Sequence, residues 1–204
     1  MDAGLLLRGL IIGFSIAAPV GPIGVLVIRR TLAEGRVVGL VTGLGVATAD
    51  ALYGCVTAFG LTFISGLLIS GQFWIRLTGG LFLCCLGLRT LMAAPAERAA
   101  AAAGPNLLGA YISTFLLTLT NPLTILSFAA IVAGLGIGDA GGDYGAAALL
   151  VLGVFAGSAL WWLILSGGAS VLRLRLTPAS LRWVNRVSGV IILGFGLLAL
   201  INLK

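Results

Sequence analysis

Hydrophobic residues fall in six long runs, separated by short segments that hold most of the charge. The runs are about Gly4–Ile28, Val37–Phe63, Phe73–Met92, Asn106–Ala133, Ala146–Val171 and Trp183–Ile201. A helix needs about 20 apolar residues to cross a bilayer. The pattern therefore predicts an all-α polytopic membrane protein with six transmembrane helices. No segment is long or polar enough for a separate soluble domain, so residues 1–204 read as one membrane domain.

Two runs contain breakers. The first holds Pro19, Gly21, Pro22 and Gly24 within six residues, and the fourth holds Asn121-Pro122. Proline removes a backbone donor and clashes with the preceding turn. Broken backbone at membrane depth is tolerated only where protein or a polar cavity covers it. Spans one and four are expected to be broken helices beside a substrate site.

The connections are read as loops. The first is basic, with Arg29, Arg30, Glu34 and Arg36. The alanine-rich stretch Ala93–Gly104 reads as a solvated, partly helical linker, and the Gly134–Gly145 loop carries Asp139 and Asp143. The loop before the sixth span holds Arg173, Arg175 and Arg182, with Pro178 as a breaker. Nine arginines lie in or beside the loops after spans one, three and five, against Arg8, Arg76 and Lys204 on the other side. That bias puts those loops in the cytoplasm and both termini outside. Arg29 and Arg30 are expected to anchor at the headgroups.

Composition agrees. The chain is 60% hydrophobic and 9% charged, with a mean hydropathy of +1.18. Soluble domains carry roughly 25% charged residues. The net charge of +6 reflects topology-setting arginines rather than a nucleic-acid partner. The absence of histidine excludes a histidine relay or ligand. Cys55, Cys84 and Cys85 form no C-x-x-C pair, so they read as small buried residues. Neither metal nor cofactor is implied. A cleaved signal peptide over residues 1–28 is disfavoured by Asp2 and by the apolar run continuing past the prolines.

The halves repeat. Leu44-Gly45-Val46 and Asp50-Ala51-Leu52-Tyr53 match Leu152-Gly153-Val154 and Ser158-Ala159-Leu160-Trp161 at an offset of 108. Trp74, Gly80 and Gly87 match Trp183, Gly189 and Gly196 at an offset of 109. Three spans per half invert one half relative to the other, giving a 3+3 inverted repeat over about 4–92 and 106–202. Inverted repeats with paired broken helices mark secondary transporters, whose substrate sits near the midplane.

Asp50 is the only carboxylate within an expected span. Inserting one there costs about 2.5–3.5 kcal/mol, and such groups are usually functional. Asp50 could pair with a substrate ammonium, carry an exchanged proton, or cap the broken helix. Tyr53, one turn on, could add a hydroxyl or simply pack. Thr114, Thr118, Asn121 and Thr124 form one stripe ending at the second break; Thr118 and Asn121 are the site candidates from it. Freed N–H groups near Val20–Ile23 would attract a carboxylate. An amino acid carries both complementary charges. Trp161, Trp162 and Trp183 read as packing or interface residues.

Pro19-Val-Gly-Pro22, Gly43 through Asp50 and Asn121-Pro122 together resemble the lysine exporter and homoserine/threonine exporter (LysE/RhtB) family. The resemblance spans essentially the whole chain. It implies a bacterial inner-membrane, multi-pass exporter of amino acids or related metabolites, proton-driven and not an enzyme. By resemblance, Pro19, Gly21, Pro22, Asp50, Asn121 and Pro122 are substrate-site positions. Partners would be a small-molecule substrate and the lipid bilayer, and a homo-oligomer is compatible with the chain. Two other readings are a cation or metal exporter, and a membrane thiol-disulfide carrier.

Overall fold

A computed structural model describes residues 3–19, 21–58, 71–92, 106–121, 124–125, 127–128, 144–173 and 177–201. Seven helices are defined among them: α1 (Ala3–Ala17), α2 (Pro22–Glu34), α3 (Arg36–Ala58), α4 (Gln72–Leu91), α5 (Leu107–Leu119), α6 (Tyr144–Arg173) and α7 (Pro178–Ile201). There is no strand among the described residues.

The surface and interior exchange the roles they have in water. Leu7, Ile11, Trp74, Leu108, Trp183 and Val190 are exposed, whereas Thr31, Thr42, Asp50, Thr114, Ser158 and Ser166 are buried. Hydrocarbon outside imposes no cost on the first set, and the second must find partners inside. Most buried hydroxyls bond a carbonyl one turn back: Thr31 to Val27, Thr42 to Val38, Thr118 to Thr114 and Ser166 to Trp162. The chain is a multi-pass membrane protein. Arg36–Ala58, Tyr144–Leu172 and Arg182–Ile201 are long and apolar enough to cross a bilayer, and α1 with α2 makes a fourth such unit, bent by 83°. Leu77–Leu91 and Leu107–Leu119 are shorter apolar helices.

Lipid tails give helices no hydrophobic reason to associate, so close packing at small residues does the work. α1 lies along α6, where Gly9 and Gly13 face the backbone of Leu150 to Val154 and Gly157 faces that of Leu10 to Phe14. α3 meets α5 where Gly45 faces the Tyr111 carbonyl and the Thr114 hydroxyl, and meets α6 where Gly43 faces Trp162. α4 and α7 pair through Gly80 against Gly196 and Gly87 against Gly189.

The first break forms as expected. α1 stops at Ala17, and α2 restarts at Pro22, which fills a first-turn position where its missing N–H costs nothing. The expected loop after Ile28 does not form. α2 runs on to Glu34, and the whole connection to α3 is Gly35, with φ 112° and ψ 167°. Only glycine tolerates that conformation readily. Arg29 and Arg30 therefore lie on a helix. Arg30 does not extend freely from a span end as expected: it is buried and bonds the Ala110 carbonyl (3.0 Å), Ser113 (2.9 Å) and Thr42 (3.3 Å). Arg29 Nε donates to Asn185 on α7 at 3.1 Å. Guanidinium groups can stay buried here because neighbouring helices supply acceptors in the fork geometry arginine needs. Pro178 begins α7 instead of breaking the chain, and Arg182 is helical. The expected loop acids Asp139 and Asp143 and the linker Ala93–Gly104 lie outside the described residues.

Candidate functional site

Asp50 sits in the middle of α3, 1% exposed. Its Oδ2 accepts a hydrogen bond of 2.6 Å from Ser158 of α6. Ser158 Oγ in turn accepts one of 3.1 Å from Trp162 Nε1. The indole thus steers the hydroxyl proton toward the carboxylate, and the hydroxyl fixes the carboxylate's rotation. No ion pair among the described residues involves Asp50. One oxygen is engaged by Ser158, and the carboxylate also borders a cavity.

That cavity, of about 110 Å³, lies at the first break. Pro19, Gly21 and Pro22 form one side, Asp50 and Asn121 another, with Trp162, Val46 and Ile16 as apolar wall. Ile23 and Gly24, whose N–H groups open α2, also line it, and no side chain caps that helix start. The cavity therefore presents a positive helix end and a carboxylate to the same volume. Gly21 has no heavy atom within 4 Å of where a Cβ would stand. Its φ of −103° and ψ of −163° suit any residue, so glycine at this point keeps the cavity open instead of relieving strain.

Asn121 follows the end of α5, with its N–H on the Thr118 carbonyl at 3.1 Å. Its side-chain amide donates to Thr124 Oγ1 at 3.0 Å, and both residues line the cavity. Pro122 lies outside the described residues. The structure thus gathers Pro19, Gly21, Pro22, Asp50 and Asn121 around one cavity.

It does not bring Tyr53 or Thr118 to that cavity. The Tyr53 hydroxyl donates to the Leu119 carbonyl at 2.6 Å, and the ring stacks on Phe128 with centroids 5.5 Å apart. Tyr53 ties α3 to the end of α5, where a carbonyl is left over by the helix terminus. Thr118 is fully buried and bonds back to Thr114. Conversely, Trp162 lines the cavity although its sequence context suggested packing, and Ser158 reaches Asp50. The repeat offset of 108 places Ser158 opposite Asp50 in the alignment of the halves, which is the signal that could have singled it out. Cys55, Cys84 and Cys85 are free thiols, none among the described residues of the wall.

Comparison with known families places the chain. The family model described as LysE type translocator matches residues 14–203. The chain belongs to that family. It is a membrane translocator. A relative from Bacillus subtilis (strain 168), named "Putative amino acid efflux protein YcgF", is 29% identical over 197 residues, covering 94% of this chain and 93% of its own. No solved structure matches the chain.

Proposed function

We propose that the protein exports amino acids with small neutral side chains across the bacterial inner membrane, in exchange for protons. The observation that carries this reading is the buried Asp50 carboxylate bordering the same cavity as the uncapped start of α2. A substrate ammonium would pair with Asp50, and its carboxylate would meet the α2 N–H groups. Asn121 can donate to one and accept from the other. Beyond these, Thr124 and Ser127 add hydroxyls to a mostly apolar wall, and no second charged side chain lines it among the described residues. That favours a short, uncharged side chain. Proton exchange at Asp50 would reset the carrier after release.

The same reading takes the fold as six spans in a 3+3 inverted repeat within one domain, with both termini outside. Two features support it. Asp50 and Ser158 correspond across the halves and touch each other, as residues on an in-plane two-fold axis must. The Gly80–Gly196 approach becomes the Gly189–Gly87 approach under the same exchange of halves, and both occur. The amino acid efflux name of the Bacillus relative supports the substrate class.

Reconstituted vesicles loaded with a panel of radiolabelled amino acids, with and without a proton gradient, test the reading. Small neutral amino acids should leave faster with the gradient imposed, and Asp50→Asn should abolish that stimulation. Full gradient-driven export by the variant would remove Asp50 as the proton carrier. Export of inorganic cations but of no amino acid would sink the substrate assignment.

A further inference from the structure

A second cavity, of about 360 Å³, opens at the other end of α2. Arg29, Arg30 and Arg89 line it, against one carboxylate among the described residues, Glu34. None of these four is in an ion pair among the described residues. Arg30 spends Nη1 and Nη2 on Thr42, Ala110 and Ser113, and its Nε–H has no partner among the described residues. Arg89 is exposed in the last turn of α4. Cationic groups this crowded and this poorly balanced call for an anion.

The rest of the wall says which kind. Phe82, Cys85 and Leu86 of α4 line the same cavity, and Asn106, Gly109, Ala110 and Ser113, at and after the start of α5, complete it. With Arg89 they form one helix face, at spacings of three and four. This face is turned away from α7, which meets α4 at Gly80 and Gly87. Phe82 is 39% exposed. Seven residues of helix separate it from Arg89, about 10 Å along the axis. The cavity thus joins a cationic mouth to an apolar face of α4. A soluble anion would use the mouth alone. A phospholipid would use both, and basic pockets between transmembrane helices recurrently hold anionic lipid headgroups.

We propose that this cavity binds an anionic phospholipid, with the headgroup phosphate at Arg29, Arg30 and Arg89 and an acyl chain along Phe82 and Leu86. The bound lipid would neutralise the arginines beside the α2–α5 junction held by Arg30. The site involves neither the central cavity nor transport, so its test stands apart from that of the amino-acid reading.

Cys85 provides a reporter within the cavity. A variant carrying Cys55→Ser and Cys84→Ser leaves that thiol alone. It is reconstituted in nanodiscs of phosphatidylcholine, and in nanodiscs with phosphatidylglycerol added, and labelled with a neutral maleimide. Phosphatidylglycerol is expected to slow labelling. Adding Arg29→Gln and Arg89→Gln should restore the phosphatidylcholine rate, weakening the lipid by about 30-fold, at about 1 kcal/mol per arginine. Arg89→Gln alone should cost about fivefold, and serves if the double variant folds poorly, since Arg89 has no described hydrogen bond to lose. Lysine at both positions should keep most of the protection. Equal labelling in both lipids, or protection that persists without the arginines, would overturn the proposal. So would equal protection in phosphatidylcholine by inorganic phosphate or an amino acid, which would make this a soluble anion's site.

Discussion

Burying a carboxylate in an apolar span costs several kcal/mol, and the bond from Ser158 offsets part of that cost at Asp50. The same bond holds one carboxylate oxygen still. Ser158→Ala should therefore lower export about tenfold, the scale of one lost hydrogen bond to a charged group. Initial efflux rates at matched protein levels read this. Gly21 makes the opposite kind of prediction. Its open surroundings and extended backbone mean that Gly21→Val should melt like the wild type yet lose most export, because the branched side chain enters the 110 Å³ cavity. Wild-type efflux by that variant would show that substrate does not pass the first break. Sequence logic reached Asp50 and Asn121 because a lone carboxylate and an Asn-Pro break are conspicuous in an apolar run. It did not reach Trp162, since an indole in a membrane span looks the same whether it packs or lines a cavity.

Among the elements, α2 departs furthest from expectation. A charged Arg-Arg pair ordinarily marks the end of a span, yet the helix continues to Glu34. The reason lies eighty residues away, in the Ala110 carbonyl and Ser113 hydroxyl that receive Arg30. Arg30→Gln should lower the melting temperature, and Arg30→Lys should fail to restore it, because one ammonium cannot reproduce the forked contacts to α3 and α5. Recovery with lysine would mean that charge alone suffices. Gly35→Ala should also destabilise, by about 1–3 kcal/mol, since φ 112° with ψ 167° is a region reserved for glycine. Thermal unfolding in detergent measures both. The helix α7, by contrast, departs only at its start, where Pro178 occupies the one helical position proline favours.

For the molecule as a whole, four helix pairings dominate. α1 rests on α6, α5 rests on α3, and α3 and α6 meet each other, as do α4 and α7. The proposed exchange of halves would map this set of contacts onto itself. The arginine bias then has a measurable consequence. Tags on both termini should react with a membrane-impermeant reagent applied to intact cells with a permeabilised outer envelope. Labelling only after lysis would reverse the assigned orientation.

Membrane residence and the position of the first break were decided locally. Sixty per cent hydrophobic residues with 9% charged leave no way to face water, and Pro22 can open a helix but not continue one. Glycines and tryptophans that match at constant offsets are the sequence's argument for the proposed repeat. Tertiary structure alone decided which polar groups meet. Ser158 finds Asp50 and Arg30 finds Ala110 only once the helices cross, and Tyr53 turns to the Leu119 carbonyl instead of the cavity. In hydrocarbon a buried polar atom takes whatever partner the crossing offers, and that partner is set by the packing of distant helices, not by neighbours in the chain.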